Sequence, residues 1–239
     1  MAHKLQGDEK SRYIQEMFGR IADRYNLMNR LMTFGQDQRW RRFVVHQAQI
    51  PPTGKLLDLA TGTGDIAFEA IKKWPKVKAF AADFSLPMMV VGQQQSLGPR
   101  VSWCGADATR LPFTSNTFDA VTSGYLLRNV ADIDLTLKEQ LRVLKPGGRI
   151  VVLDSSPPPH NLLRPFIKIH LKYIIPLLGR VVAGKAAADA YRYLPESTQA
   201  FKTPDDLAQL MHAAGIENVA YRMFMFGTIA VHWGTKALA

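Results

Sequence analysis

The sequence predicts an α/β domain on a mostly parallel, seven-stranded sheet that ends in an antiparallel hairpin. Two observations carry this reading. From about residue 55, short apolar runs alternate with helix-compatible stretches, which argues for a parallel sheet covered on both faces. The stretch "VAYRMFMFGTIAVHWGTK" at 219–236 has two β-like halves around Gly227 and no room for a crossover helix, so its halves pair antiparallel.

Taken in order, "KLLDLA" at 55–60 is the first strand and "DIAFEAIKKW" the helix after it. "VKAFAAD" at 77–83 is the second strand, followed by the helical "LPMMVVGQQQS". "VSWCGAD" at 101–107 and "FDAVTSGYLL" at 118–127 are the third and fourth; "DIDLTLKEQLRVL" then forms a helix before the fifth strand, "GRIVVLDSS" at 148–156. A further helix begins near Pro204. Thr203 suits its N-cap, Pro204 the first helical position, and Asp205 and Asp206 the first turn, where negative charge meets the positive end of the helix dipole. Two helix-prone segments lie outside this scheme: residues 8–50, a helical N-terminal cap, and residues 157–202, a helical insertion after the fifth strand. The whole chain, 1–239, reads as one domain, with no internal repeat or linker.

Composition narrows the function classes. Hydrophobic residues make up 47% of the chain, enough to fill a core. Cys104 is the one cysteine, so no disulfide framework exists and a reducing cytoplasm is expected. The six histidines are scattered without metal-ligand spacing, and no metal site is expected. "MAHKLQGDEKSRY" lacks the apolar core of a signal peptide, and no run of 18 apolar residues appears. The formal charge of +10 is uneven: residues 1–50 hold 9 basic and 5 acidic side chains, and residues 160–202 hold 7 and 2. Such basic segments suit nucleic acid, an anionic membrane surface, an anionic ligand, or plain solvated helix faces.

The chemistry concentrates at strand ends. "LLDLATGTGD" at 56–65 closes the first strand in a turn holding Gly62, Thr63 and Gly64, where glycine lets backbone approach a ligand. It is not the dinucleotide fingerprint G-x-G-x-x-G, because the third glycine would fall at Ala67. Asp58 and Asp65 also bring negative charge where a pyrophosphate would sit. A cationic or zwitterionic ligand is favoured, and S-adenosyl-L-methionine, a sulfonium with an amino acid tail, fits. Asp83, ending the second strand 19 residues after Gly64, suits the ribose hydroxyls; otherwise it caps the next helix, in competition with Ser85. Asp107 and Ala108, after the third strand, suit the adenine, with a plain turn as the alternative. After the fourth strand, "GYLLRNV" places Arg128 and Asn129 in the same crevice. Five parallel strands alone would suit a generic nucleotide-binding fold equally well; the terminal hairpin tips the balance to the layout of class I, Rossmann-like methyltransferases.

More extended stretches resemble the ubiquinone and menaquinone biosynthesis C-methyltransferase family, often called UbiE-type. "YNLMNRLMTFGQDQRW" at 25–40 resembles that family's first signature, Y-D-x-M-N followed by S, H and W, through Tyr25, Met28, Asn29 and Trp40, and departs at Asn26, Thr33 and Asp37. "RVLKPGGRIVVLDSS" at 142–156 resembles the second signature, with Asp154 where the family usually has Glu. "LPFTSNTFDAV", "LRNV", "YLPES" and "GTIAVHWG" match in order and spacing. The resemblance spans roughly residues 17–236. It implies a class I fold, S-adenosyl-L-methionine as cofactor and methylation of a ring carbon of a prenylated quinol precursor. It also implies cofactor contacts at Thr63, Asp83, Asp107 and Ala108; the turn glycines Gly62 and Gly64, with Phe84 and Gly124, which offers no hydroxyl, complete the expected cofactor set. The family's F-G-L-R-N is here Tyr125-Leu126-Leu127-Arg128-Asn129, and its preceding serine is Gly124, so the acceptor's identity stays open.

Carbon methylation needs a nucleophilic ring carbon, which an adjacent hydroxyl turned toward phenolate provides. Guanidinium groups keep their proton. Arg128 is therefore expected to stabilise phenolate charge, with water carrying the proton away, unless it is only a salt bridge to Asp132 or Asp134. Asn129 could hold that water or a ring oxygen, or cap the next helix; Tyr25 could hydrogen-bond the acceptor, or merely pack. In the insertion, Ile174, Ile175, Leu177 and Leu178 alternate with Lys168, Lys172 and Arg180. This pattern fits a lid broken by Pro165 and Pro176 that shields an apolar tail and transiently touches an anionic membrane, or else ordinary helical packing. A homodimer stays open. Methylation of another phenolic, polyketide or lipid is the alternative; a nucleic-acid binder or RNA methyltransferase is disfavoured, since the charge is interleaved with long aliphatic side chains and no N-P-P-Y-like motif occurs.

Overall fold

The computed structural model describes residues 7–159, 162, 164–183 and 188–238, apart from the side chains at 8, 168, 171, 180–183, 188–189 and 192. Its centre is a seven-stranded sheet in the order β3-β2-β1-β4-β5-β7-β6. The strands are β1 (Lys55–Leu59), β2 (Lys78–Asp83), β3 (Val101–Gly105), β4 (Phe118–Gly124), β5 (Leu144–Ser155), β6 (Ile216–Phe224) and β7 (Ile229–Lys236). The first five pair in parallel, while β7 runs antiparallel to both β5 and β6. This is the expected sheet and hairpin.

Period-two alternation explains why the central strands are apolar throughout. On β1, Leu56 joins the core on one face with Val44, Ile71 and Val151, while Leu57 joins the other with Val121, Leu137 and Val152. Both leucines are fully buried, each contributing about 1.5–3 kcal/mol of apolar transfer. The covering helices are α4 (Asp65–Lys73), α5 (Leu86–Gln93), α6 (Ile133–Val143) and α10 (Pro204–Ala213). Thr203 and Asp206 form a reciprocal capping box at the start of α10, as the Thr203-Pro204-Asp205-Asp206 run predicts.

The N-terminal cap consists of α1 (Gly7–Ile21), α2 (Tyr25–Met32) and α3 (Asp37–Gln47). The insertion consists of α7 (Arg164–Ile169), α8 (Ile175–Ala183) and α9 (Ala188–Ala200). A third apolar cluster joins Ile14, Met17 and Met28 of the cap to Ile167, Ile175 and Tyr193 of the insertion. The two segments thus build one roof over the carboxyl edge of the sheet.

Three boundaries differ from expectation. Strand β4 ends at Gly124, not Leu127, because Tyr125 adopts φ 58° and turns the chain out of the sheet. Strand β5 starts at Leu144, pairing with Phe118 before a register shift. Pro165 and Pro176 do not break the insertion into pieces: α7 runs into α8 through a π-helical segment, His170–Ile174, just before Pro176. A wider turn there absorbs the bond that proline, lacking an N–H, cannot make.

Candidate active site

The carboxyl ends of the strands open on two adjoining cavities. The first, about 190 Å³, is lined by Gly62, Asp83, Phe84, Asp107, Ala108 and Gly124, with α1 covering it through Ile14 and Phe18. Helix α1 is anchored on either side. Gln15 Nε2 donates to the Phe84 carbonyl at 2.6 Å, and Lys10 Nζ to the Val130 carbonyl at 2.8 Å. Among the described residues, no lysine or arginine lines this cavity, whereas two carboxylates do. Two carboxylates with no described cation suit a cationic ligand with hydroxyls and disfavour a pyrophosphate.

Asp83 accepts from the Gly62 amide at 2.7 Å and the Ser85 amide at 2.8 Å, bridging the turn after β1 to the start of α5. Burial pushes its carboxyl up and the amides partly offset that. It is not the cap of α5: Ser85 occupies that position, with a buried hydroxyl that has no protein partner among the described residues. Asp107 is exposed and accepts from both the amide (2.8 Å) and hydroxyl (2.7 Å) of Thr109. It is therefore a turn residue and a wall residue at once.

Thr63 and Gly64 lie behind the cavity rather than on its wall. Gly64, at φ 87°, begins α4, and a Cβ there would come within 2.7 Å of Trp103. The Thr63 hydroxyl donates toward Asn26 Oδ1 (2.9 Å) and Asp65 Oδ2 (3.0 Å). From there a polar chain continues. Asp65 pairs with Arg41 at 3.3 Å, Arg41 with Asp37 at 2.7 Å, and Asp37 with Arg30 at 3.2 Å, while the Thr33 hydroxyl donates to Asp37. The three departures from the first signature, Asn26, Thr33 and Asp37, are all members of this chain. Thr33 bonds Asp37 directly, and Asn26 joins them through Thr63, Asp65 and Arg41.

Beneath the loop, Asp58 is fully buried and accepts from the hydroxyls of Thr61 (2.7 Å) and Thr122 (2.8 Å). Burial pushes its carboxyl up to about 7, against these hydrogen bonds.

The second cavity, about 380 Å³, is apolar over most of its wall, with Met32, Trp40, Ile167, Ile175 and Phe226. Arg128 and Ser155 supply its inner polar edge. Neither Asp132 nor Asp134 pairs with Arg128. Its guanidinium donates to Ser155 Oγ at 2.9 Å and faces Asp154 at 3.8 Å, both at the end of β5. Asp132 instead caps α6, accepting from the Leu135 amide, which also removes Asn129 from that role. Asp154 is buried, and its burial pushes the carboxyl up against the neighbouring Arg128 charge. The 3.8 Å gap leaves Arg128 Nε without a hydrogen-bond partner, consistent with the short aspartate at a position where the resembled family carries glutamate.

Asn129 is held at both ends of its amide: Nδ2 donates to the Tyr125 carbonyl at 2.7 Å and Oδ1 accepts from the Tyr193 hydroxyl at 3.0 Å. Tyr25 lines both cavities, and burial raises its pKa, so its hydroxyl keeps its proton. Sequence reasoning missed Tyr125, Asp154 and Ser155. The signal for the last two was available, since they end β5 as Asp83 ends β2.

A family model described as the ubiE/COQ5 methyltransferase family matches residues 6–236. The chain belongs to that family. Within it, a Desulfotalea psychrophila protein named ubiquinone/menaquinone biosynthesis C-methyltransferase UbiE is 50% identical over 223 residues, covering 93% of this chain and 90% of its own. A Thermus thermophilus protein named demethylmenaquinone methyltransferase is 42% identical over 222 residues, covering 92% of this chain and all of its own length (100%). Family membership makes the chain a methyltransferase. The fold is shared more widely. A solved Thermotoga maritima structure, titled a SAM-dependent methyltransferase and possible histamine N-methyltransferase, aligns with TM-score 0.61 at 22% identity, over 92% of this chain and 99% of that one. No helix among the described residues is long and apolar enough to cross a membrane.

Proposed function

We propose that the chain transfers a methyl group from S-adenosyl-L-methionine to a ring carbon of a prenylated quinol precursor of the demethylmenaquinol kind. The observation that carries this reading is the pair of adjoining cavities, one lined by carboxylates and, among the described residues, no lysine or arginine, the other largely apolar with a guanidinium at its inner edge. When bound, the cofactor supplies an electrophilic methyl on a sulfonium. Asp83 is placed to take ribose hydroxyls, and Asp107 with the Ala108 amide the adenine. In the second cavity Arg128 stabilises negative charge on a ring oxygen, worth ~3 kcal/mol for a desolvated donor. The Tyr25 hydroxyl, held protonated by its burial, donates to the acceptor. Arg128 would hold the ring oxygen while the methyl passes from sulfur to the ring carbon, and the ring proton would leave to solvent through water beside Arg128.

The mouth of the second cavity supports the apolar tail and the membrane contact. Phe34, Phe166 and Phe226 line it and are 77%, 70% and 69% exposed. Tyr173 and Leu177 extend this apolar rim, with Lys172 beside Tyr173. A prenyl chain leaving the cavity passes from this rim into lipid, and the lysine favours an anionic surface. Lys168 and Arg180, the other cations of the expected lid, have side chains outside the described residues.

Incubation with labelled S-adenosylmethionine and reduced demethylated naphthoquinols or benzoquinols, followed by mass spectrometry of the added methyl, tests the reading. A ring-methylated quinol that Arg128→Ala abolishes is expected. Labelling of oxygen, or of neither quinol, overturns it. Vesicles containing anionic lipid should sediment the protein at low salt, and no sedimentation removes the membrane contact.

A further inference from the structure

We propose that Tyr125 is the partition between the two cavities, presenting its ring to the cationic end of the cofactor, and that Asn129 acts through it as a positioning residue. This rests on the methyltransfer reading above and assigns the boundary that the methyl must cross. Among the described residues, Tyr25 and Tyr125 are the two common to both cavity walls. Tyr25 comes from the roof. Tyr125 comes from the sheet, where β4 ends.

The backbone of Tyr125 shows what holds it there. At φ 58° it lies in the left-handed region, which a bulky side chain enters only when its surroundings over-determine it. Three contacts do so. Its amide donates to the Leu153 carbonyl at 2.7 Å, its carbonyl accepts from Asn129 Nδ2 at 2.7 Å, and the Arg128 guanidinium rests 4.9 Å from its ring centroid. Asn129 is in turn held by Tyr193 of α9, so the insertion reaches the partition through two hydrogen bonds. A glycine would take this φ without strain; the chain instead keeps an aromatic ring here.

Arg128 lines the second cavity but not the first, so the ring face it covers belongs to the acceptor side. Tyr125 also lines the first cavity, where two carboxylates gather and no lysine or arginine lies among the described lining residues. An aromatic π-face attracts a desolvated cation. It holds the neutral thioether left after transfer less strongly. The ring therefore favours the charged form of the cofactor over its product.

Isothermal titration of the full chain with S-adenosylmethionine and S-adenosylhomocysteine reads this directly. Tyr125→Leu should lower the affinity ratio of the charged over the neutral ligand by roughly 3- to 30-fold, the range expected for a lost cation–π contact, and Tyr125→Phe should restore it. A ratio within about twofold of wild type in a folded Tyr125→Leu variant overturns the ring's role. Asn129→Ala, followed by thermal melting, reads the clamp: its loss of Tm should shrink at least by half in a Tyr125→Gly background, where no strain needs holding. Equal losses in both backgrounds overturn the positioning role. If the wild type binds neither ligand, the methyltransfer reading fails as well; a changed chain of variants with a binding wild type speaks to the partition alone.

Discussion

Replacing Arg41 with methionine tests whether the cap helices and the cofactor loop form one electrostatic unit. The Arg41 side chain is 9% exposed and pairs with Asp37 at 2.7 Å and Asp65 at 3.3 Å. Burial opposes its charge, yet the two carboxylates outweigh that and raise its pKa. Methionine keeps much of the aliphatic packing, so the cost falls on the carboxylates left behind. Removing one partner of a buried ion pair costs ~3–5 kcal/mol. Here Asp37 retains Arg30 at 3.2 Å and the Thr33 hydroxyl, and Asp65, 23% exposed, can recruit water. The cost therefore falls at or just below the bottom of that range, about 2–3 kcal/mol. Against a total stability of ~5–15 kcal/mol, this should move the urea midpoint by roughly 1 M with an unchanged m-value. S-adenosylmethionine affinity should fall too, because Asp65 positions Thr63 behind the loop. Adding Asp65→Asn should recover part of the loss. A change under ~1 kcal/mol, or strict additivity of the two substitutions, would refute the reasoning.

The other expectations are simpler. Asp83→Ala should weaken S-adenosylmethionine binding at least severalfold by calorimetry, since it loses the ribose acceptor and frees the Gly62 amide; unchanged affinity removes that assignment. Asp58, raised to about 7, binds a proton in the folded state that the unfolded chain releases near the ordinary carboxylate range. Its contribution is full below that range and lost as pH rises toward 7, so Asp58→Asn should gain up to about 4 kcal/mol relative to wild type between pH 4 and 8 in parallel urea melts. A pH-independent difference would show that Asp58 is ionised throughout. Thr203→Ala should cost about 1 kcal/mol, with Asp206 left without its hydroxyl partner.

How far the sequence reached depends on the range of the interaction. The Thr203 cap and the hairpin around Gly227 involve neighbours in the chain, and both appear where the residues place them. The β4 end was misplaced by three residues because "GYLL" is apolar throughout, and only the left-handed turn at Tyr125 removes it from the sheet. Asp83 and Asp107 were legible as acids at strand ends. The partner of Arg128 was not: proximity along the chain favoured Asp132, while the fold brings Asp154 from the next parallel strand.

By itself, the sequence determined the alternation of strands and helices, the acids at the strand ends and the family. These follow from local periodicity and from residue types at strand ends, which any parallel sheet carries to one edge. The tertiary structure decided the rest. It placed Thr63 behind the wall of the first cavity, joined Asn26 to a threonine 37 residues away, and set Tyr125 on the walls of both cavities. Those outcomes depend on which distant segments pack over the sheet, and no local pattern in the chain encodes that choice.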